Sequence, residues 1–223
     1  MRAPLTIYLA TVTVRAPLLI YLATVAEGFP FVALAAPRRL RGARAWVLLW
    51  CAVLLGVDLL AMWLGRHRER NLWLGYVVTP AGGALALWAL SCWQARELPR
   101  LTLRLAIVPF LLAWLVLLLA VDNVADFSRV AWPMANLVCL CAAAFTLLVR
   151  SHAASGSLVR QDWFWVSAGM ALYFGVSVTI APLSALLVGD DPRQLALAYE
   201  ARAALEVVAF LLIAVGMVCP SET

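Results

Sequence analysis

The chain contains no lysine, since all 17 of its basic residues are arginine. A retinal protein is therefore excluded, because retinal is held as a Schiff base on a lysine amine. Charged residues of both signs reach only 13% of the 223 residues, about half the share of a soluble domain. So few charges cannot cover a surface that faces water, and the composition excludes an ordinary soluble domain.

Histidine and cysteine are too few, and too poorly placed, for a metal or haem site. The two histidines, His67 and His152, fall in predicted connectors, so no pair of imidazoles can ligate a haem within a membrane. Most of the five cysteines lie in apolar runs, where cysteine acts as a small hydrophobic residue. Cys139 and Cys141 are two residues apart and would point in different directions on a helix. We expect no metal and no cofactor.

Long apolar stretches are what the sequence has in abundance. Apolar residues make up 65% of the chain, and the mean hydropathy is +0.93. Runs of this kind without strand-like alternation favour helices, which satisfy their own backbone groups within lipid. The sequence predicts an all-α, polytopic transmembrane bundle of seven helices. The predicted spans are residues 17–36, 45–65, 72–92, 104–121, 131–150, 163–188 and 196–219.

Arginines in the connectors predict the orientation of the bundle. The first connector carries Arg38, Arg39, Arg41 and Arg44 and no acid. Because basic residues collect on the cytoplasmic side, this cluster predicts an external N-terminus and a cytoplasmic C-terminus. We expect a multi-pass protein of the cell inner (cytoplasmic) membrane. The scattered arginines indicate membrane flanks, so we expect no nucleic acid among the partners.

The beginning of the chain carries a near-exact tandem repeat with a period of 13 residues. The segment Arg2-Ala-Pro-Leu-Thr-Ile-Tyr-Leu-Ala-Thr-Val recurs from Arg15 with one change. A solenoid needs at least three units, so the repeat indicates a local duplication. We predict an N-terminal extension at 1–16, a transmembrane domain at 17–219 and a short tail at 220–223.

Several polar side chains lie inside the predicted spans. An ionisable group within a bilayer marks either a site or a buried pairing, because its desolvation is costly. Pro30, Pro80 and Pro133 predict bends in the same half of the membrane, where splayed helices would open a polar cavity. The predicted polar pocket in the outer half consists of Glu27, Asp58, Thr79, Asn136, Tyr199, Arg202 and Glu206.

Each of these polar groups also has a structural explanation. Glu27 and Asp58 could be protonated, or hydrogen-bonded to Thr79 and Asn136, and only fix the helix register. Arg202 and Glu206 are four residues apart and could form an ion pair along one helix face. The Gly82-Gly83 pair is typical of a packing notch. Tryptophans near the predicted helix ends indicate interfacial anchors, namely Trp46, Trp73, Trp93, Trp132 and Trp163.

The sequence contains no recognisable catalytic template, so we assign no catalytic residue. The first hypothesis is a non-catalytic accessory or scaffolding subunit of a larger membrane complex, such as an energy-converting or photosynthetic one. Its expected partners are membrane lipids and other membrane subunits. An alternative is a receptor-like sensor with a small-molecule pocket in the outer half. A further alternative is an intramembrane enzyme that transforms a lipid or isoprenoid and uses Glu27 or Asp58 as a proton donor.

Three segments together resemble a group of small seven-helix bacterial integral membrane proteins whose function is uncharacterised. They are Ile20-Tyr-Leu-Ala-Thr-Val through Pro30, then Asn71-Leu-Trp-Leu-Gly-Tyr-Val-Val-Thr-Pro80, then Trp163-Phe164-Trp165 through Tyr173-Phe174. The resemblance covers most of 17–219 and implies the seven-helix topology. Those proteins tend to carry an acid just after the Thr-Pro pair, where this chain has Gly82 and Gly83. The resemblance implies no particular chemistry.

Overall fold

The computed structural model describes residues 17–35, 42–67, 69, 71–122, 128, 130–154, 156–187 and 192–219. Regular structure within these ranges is entirely helical, which confirms the predicted all-α class. The predicted extension at 1–16 and the tail at 220–223 lie outside the described residues. The α-helices are α1 (Pro17–Glu27), α2 (Ala43–Arg66), α3 (Trp73–Cys92), α4 (Glu97–Leu105), α5 (Ile107–Ala120), α6 (Ala131–Ala153), α7 (Asp162–Leu187) and α8 (Pro192–Val218), with 3-10 helices at Phe29–Ala35 and Leu158–Arg160.

Six helical segments are long and apolar enough to cross a membrane, judged by length and composition. They comprise α2, α3, the continuous α4–α5 segment, α6, and the apolar parts of α7 and α8. Together with α1, they make the seven helical segments that the sequence predicts. The external N-terminus and cytoplasmic C-terminus stay predictions.

The first predicted span, 17–36, is not one continuous α-helix. α1 ends at Glu27, Gly28 forms a turn, and a 3-10 helix begins at Phe29. Pro30 has no amide hydrogen to donate to the carbonyl of Ala26, so the α-helical ladder is interrupted there. The amide of Phe31 instead bonds the carbonyl of Gly28 at 3.1 Å, in the tighter 3-10 pattern.

Two other prolines lie near the beginning of a helix and do not bend the middle of a span. Pro133 lies in the first turn of α6, where backbone amides have no partner within the helix, so it begins the helix and does not bend it. Pro109 stands at the start of α5, and the carbonyl of Leu105 loses its expected donor. This missing donor explains the division of the segment at Ala106. The segment also begins at Glu97, earlier than the predicted span 104–121. Pro80 lies inside α3, which stays helical to Cys92.

Six helices pack as a closed ring. Each packs on the next in the order α1, α2, α3, α6, α7, α8, and α8 returns to α1. The centre is filled by aromatic rings, with Trp50 of α2 next to Tyr173, Phe174 and Phe210 at centroid distances of 5.5–5.9 Å. α5 lies outside the ring against α3 and α6, and most of its surface is exposed.

Glycine brings α7 and α8 into the closest contact in the ring. A Cβ atom at Gly169 would lie 2.6 Å from the carbonyl oxygen of Ala209. One at Gly216 would lie 2.9 Å from the carbonyl oxygen of Asp162. Distances this short leave no room for a methyl group, so the two helices touch backbone to backbone at both positions.

The predicted tryptophan anchors do not all face outward. Trp73 is 45% exposed, as an interfacial anchor should be. Trp163 is only 1% exposed, so its prediction as an anchor was wrong. Its indole nitrogen donates to Gln161, and Arg150 lies over its ring at 5.4 Å. Trp163 is therefore a core residue at the beginning of α7, although its position in the sequence is typical of an interface.

Candidate functional site

A small cavity lies within the ring between α2, α3, α6 and α7. Its volume is about 50 Å³, enough for about three or four water molecules. Thr79 and Asn136, both predicted pocket residues, line it from facing helices. Asn136 is buried, and its amide nitrogen donates to the carbonyl of Trp132 at 2.8 Å. The remaining lining residues are Trp50, Leu54, Val78, Gly82, Gly83, Trp132, Ala135, Cys139, Tyr173 and Phe174.

The two neighbouring glycines of α3 shape this cavity in different ways. A Cβ atom at Gly83 would lie 2.5 Å from Cζ of Phe110, so Gly83 is the notch that admits the aromatic ring of α5. A Cβ atom at Gly82 would lie 3.6 Å from Nε1 of Trp50, an ordinary contact distance. Gly83 thus has the packing role that the sequence indicates, whereas Gly82 leaves space beside Trp50.

Arg202 and Glu206 form an ion pair along α8. Nε and Nη2 of Arg202 donate to the same oxygen of Glu206, at 3.2 and 2.9 Å. The Arg202 guanidinium also lies over the ring of Trp132 at 5.5 Å. Tyr199, one turn earlier on α8, lies within electrostatic range of Arg202. The predicted pairing is therefore present, and Trp132 adds a third contact from α6.

Glu27 and Asp58 meet between α1 and α2. Their side chains hydrogen-bond to each other, and both lie within electrostatic range of Arg202 and Glu206. A hydrogen bond between two carboxyl groups requires a proton on one of them. Glu27 is 6% exposed, and its second oxygen, Oε2, is buried without a partner. Asp58 is exposed, so the cluster reaches the outer surface of the ring at α2.

The small cavity lies next to the cluster of Glu27, Asp58, Arg202 and Glu206. Tyr173 lines the cavity and lies within electrostatic range of Glu27, Asp58, Arg202 and Glu206. Trp132 also lines the cavity, and the Arg202 guanidinium lies over its ring. The structure thus brings all seven predicted pocket residues into two adjacent groups. One contains Thr79 and Asn136, and the other contains Glu27, Asp58, Tyr199, Arg202 and Glu206.

Sequence reasoning missed the aromatic residues that join these groups. The sequence predicts Trp132 as an interfacial anchor, and it does not predict that Tyr173 and Trp50 line the pocket. Trp50 offered a signal, because it lies inside a predicted span, away from the ends where anchors collect. It is fully buried and stacks at 24° on Phe210.

A second polar cluster lies at the end of the ring where α2 and α7 begin and α8 ends, called here the Arg44 end. Nη2 of Arg44 lies 3.0 Å from Oδ2 of Asp162 and donates to the carbonyl of Cys219 at 2.7 Å. Oδ1 of Asp162 accepts from the amide of Trp163 at 2.7 Å, in the first turn of α7, where backbone amides have no partner within the helix. Burial raises the pKa of the Cys219 thiol, Asp162 raises it further, and Arg44 opposes both.

The chemistry open to the first site is limited by these dimensions. Among the residues that the structure describes, no three histidine, cysteine or acidic side chains lie close enough to hold a metal ion. The site can hold a few waters beside a carboxyl pair, an ion pair and a tyrosine. Such groups can store a proton or supply polar contacts between helices.

No protein-family profile, curated protein or solved structure matches the chain.

Proposed function

We propose that the chain is a non-catalytic multi-pass membrane protein that acts as an accessory subunit of a larger membrane complex. The observation that carries the proposal is the position of Asp58. It lies on α2, about 12 Å along the helix axis from Arg66, and is therefore within the hydrocarbon region of a bilayer. It is exposed at that depth.

An exposed acidic residue at this depth is stabilised by polar contacts beyond those within its own chain. Leu59 and Leu60, the next residues of α2, are 52% and 40% exposed, so the surroundings of Asp58 on this surface are apolar. Glu27 bonds the Asp58 carboxyl group, and Arg202 and Glu206 lie within electrostatic range of it, while the residue as a whole is exposed. A carboxyl group facing lipid costs several kcal/mol. A polar group on a neighbouring subunit would remove this cost.

The peripheral α5 fits the same proposal. Val108, Leu112 and Val116 are each about 60% exposed, and they provide an apolar surface that lipid can cover. The protein thus presents two distinct outer faces, one purely apolar at α5 and one with an embedded acid at α2. We place the subunit in a bacterial inner membrane, an assignment supported by the apolar spans and by the resemblance of three segments to small bacterial membrane proteins.

Purification from native membranes in a gentle detergent tests the proposal. We expect a stoichiometric partner that is retained by Asp58→Asn, which keeps a hydrogen-bonding side chain, and is released by Asp58→Leu. A bulky change beside the acid, Leu59→Trp, should also release the partner. The matched change on the other face, Val116→Trp, should not. A protein that purifies by itself, with identical behaviour for all four variants, contradicts the proposal.

The cavity favours a second candidate, a sensor that responds to a small molecule. Thr79, Asn136 and Tyr173 give it a polar lining. Its volume of about 50 Å³ holds waters, whereas ordinary ligand sites are several times larger. A ligand would therefore have to displace the ring of Trp50 or Tyr173. Quenching of tryptophan fluorescence by a ligand that co-purifies with the protein would favour the sensor over the subunit.

A further inference from the structure

The cavity inside the ring brings hydrogen-bond acceptors together from three helices. Thr79 of α3, Asn136 of α6 and Tyr173 of α7 all line it. The amide nitrogen of Asn136 is bonded to the carbonyl of Trp132, which leaves the amide oxygen to accept from a ligand. A hydroxyl oxygen can accept a hydrogen bond even while it donates one. The cavity therefore offers three side-chain oxygens to a ligand that carries several donors.

Aromatic rings make up much of the remaining wall of the cavity. Besides Tyr173, they belong to Trp50 of α2, Trp132 of α6 and Phe174 of α7. The face of an aromatic ring attracts a cation, because its π electrons carry partial negative charge. One of these rings already has this contact, since the Arg202 guanidinium lies 5.5 Å from the centre of the Trp132 ring. Oxygens and rings together favour a positively charged ligand over a neutral one.

The cluster next to the cavity carries a negative charge that its own residues do not balance. Arg202 and Glu206 form an ion pair, so their charges cancel. Glu27 and Asp58 are hydrogen-bonded, and a single proton between them leaves one negative charge on the pair. The other ion pair in the described part of the chain lies at the Arg44 end. A cation in the cavity balances the charge of the carboxyl pair.

The size of the cavity limits which cation can bind. Its volume of about 50 Å³ holds a few particles the size of a water molecule, so a cation as small as ammonium fits while the rings of Trp50 and Tyr173 stay in place. Ammonium has four N–H donors, which suit the three oxygens and one ring face. Magnesium and calcium ions take about six or more oxygen ligands, usually with carboxylates among them. No acid is among the described residues that line the cavity.

We propose that the cavity is a binding site for an ammonium ion. Thr79, Asn136 and Tyr173 accept hydrogen bonds from the ion. The carboxyl pair of Glu27 and Asp58 balances its charge from the neighbouring cluster without contacting it. The inference does not depend on the proposed subunit function, because residues of this chain alone line the site.

The first test measures the melting temperature of the full chain in detergent, at constant ionic strength, with ammonium, sodium or tetramethylammonium chloride as the added salt. We expect a saturable rise with ammonium and little change with sodium. Tetramethylammonium is too large for the cavity and should have no effect. A rise with tetramethylammonium equal to that with ammonium would indicate binding at the surface and contradict the proposal. An equal rise with sodium, or no saturable change with ammonium, would overturn the assignment to ammonium.

Variants of the lining test the acceptors. Thr79→Val keeps the shape of the side chain and Tyr173→Phe keeps the ring, but each removes a hydroxyl oxygen. Each should weaken the apparent affinity for ammonium about tenfold or more, the effect of losing a hydrogen bond to a charged group. Thr79→Ser keeps the hydroxyl and should retain most of the affinity. Full affinity in both Thr79→Val and Tyr173→Phe would refute the proposed site.

The double change Glu27→Gln with Asp58→Asn tests the role of the charge. Either single change leaves one acid that can be ionised, whereas the double change removes the negative charge of the pair. We expect the double variant to lose about tenfold in affinity for ammonium. The matched control, Glu97→Gln, removes an exposed acid in the first turn of α4 and should leave the affinity unchanged. Equal affinities of the double variant and the control would exclude the carboxyl pair as the balancing charge.

Discussion

Arg44 and Asp162 form a buried ion pair between residues 118 positions apart in the sequence. Nε and Nη2 of Arg44 lie 3.1 and 3.0 Å from the same carboxylate oxygen. The pair joins the beginning of α2 to the beginning of α7, and the Arg44–Cys219 bond adds the end of α8. Three of the six helices in the ring are therefore fixed at one end by a single guanidinium group.

Removing the acid of this pair should destabilise the ring strongly. Asp162→Asn leaves Arg44 buried without its counter-charge and should lower the free energy of unfolding by about 3 kcal/mol. Asp162→Ala also removes the acceptor of the Trp163 amide and should cost about 1 kcal/mol more. Unfolding by a denaturing detergent in mixed micelles measures both. The double change Arg44→Leu with Asp162→Leu should recover most of the loss, and a double variant as unstable as Asp162→Asn would contradict this account.

The two adjacent glycines of α3 should respond differently to alanine. Gly83→Ala forces a methyl group against the Phe110 ring and should cost about 1–3 kcal/mol. Gly82→Ala fits beside Trp50 and should be neutral or slightly stabilising, since alanine favours the helix. The same unfolding measurement compares them. Phe110→Leu should partly rescue Gly83→Ala, and equal effects at both glycines would show that Phe110 does not occupy the notch.

Conservative changes of the intramembrane acids should show whether the protein acts as a subunit or as an enzyme. Glu27→Gln and Asp58→Asn keep the volume and hydrogen-bonding capacity but cannot exchange a proton. A subunit should retain its assembly and the activity of its host complex with either change. An enzyme that uses one of these acids as a proton donor should lose about 10²-fold or more in rate. Such a loss of turnover, with assembly intact, would refute the proposed subunit function.

Reporter fusions should place the first connector and the C-terminus on the same, cytoplasmic side. The prediction depends on the cluster from Arg38 to Arg44, because positive residues are retained in the cytoplasm. The Arg44–Cys219 bond is consistent with both regions lying at one end of the ring. Enzymatic reporters that are active in only one compartment measure this directly. An external signal from either fusion would invert the topology or remove one span.

The sequence predicted the helices well because each apolar stretch is a local property. It also identified the polar residues that meet inside the ring, since an acid such as Glu27 in an apolar run is conspicuous. It could not predict that Glu27 bonds Asp58 rather than Thr79 or Asn136, which line the cavity instead. That choice depends on which helices are neighbours, and the spacing along the chain does not contain this information.

The beginnings and ends of helices were harder to predict for a different reason. The division of α4 from α5 follows from one missing donor at Pro109, within a stretch of uniform hydropathy. The position of Trp163 in the sequence predicts an interfacial anchor. Its burial depends on Arg150 and Gln161, which come together only in the folded ring. A hydropathy pattern gives the depth of a residue but not whether it faces lipid or protein.

The backbone contact of α7 with α8 has a consequence for biosynthesis. Translation produces α8 after the other described helices, so the translocon receives Glu27 and Asp58 before Arg202 exists to join them. During that interval the two acids can bond only each other or polar groups of helices already inserted. The glycines at 169 and 216 let α8 pack closely on α7 once α8 enters the membrane. A bulky residue at either glycine would prolong the interval, and the resulting defect would be seen as degradation of an incompletely assembled chain.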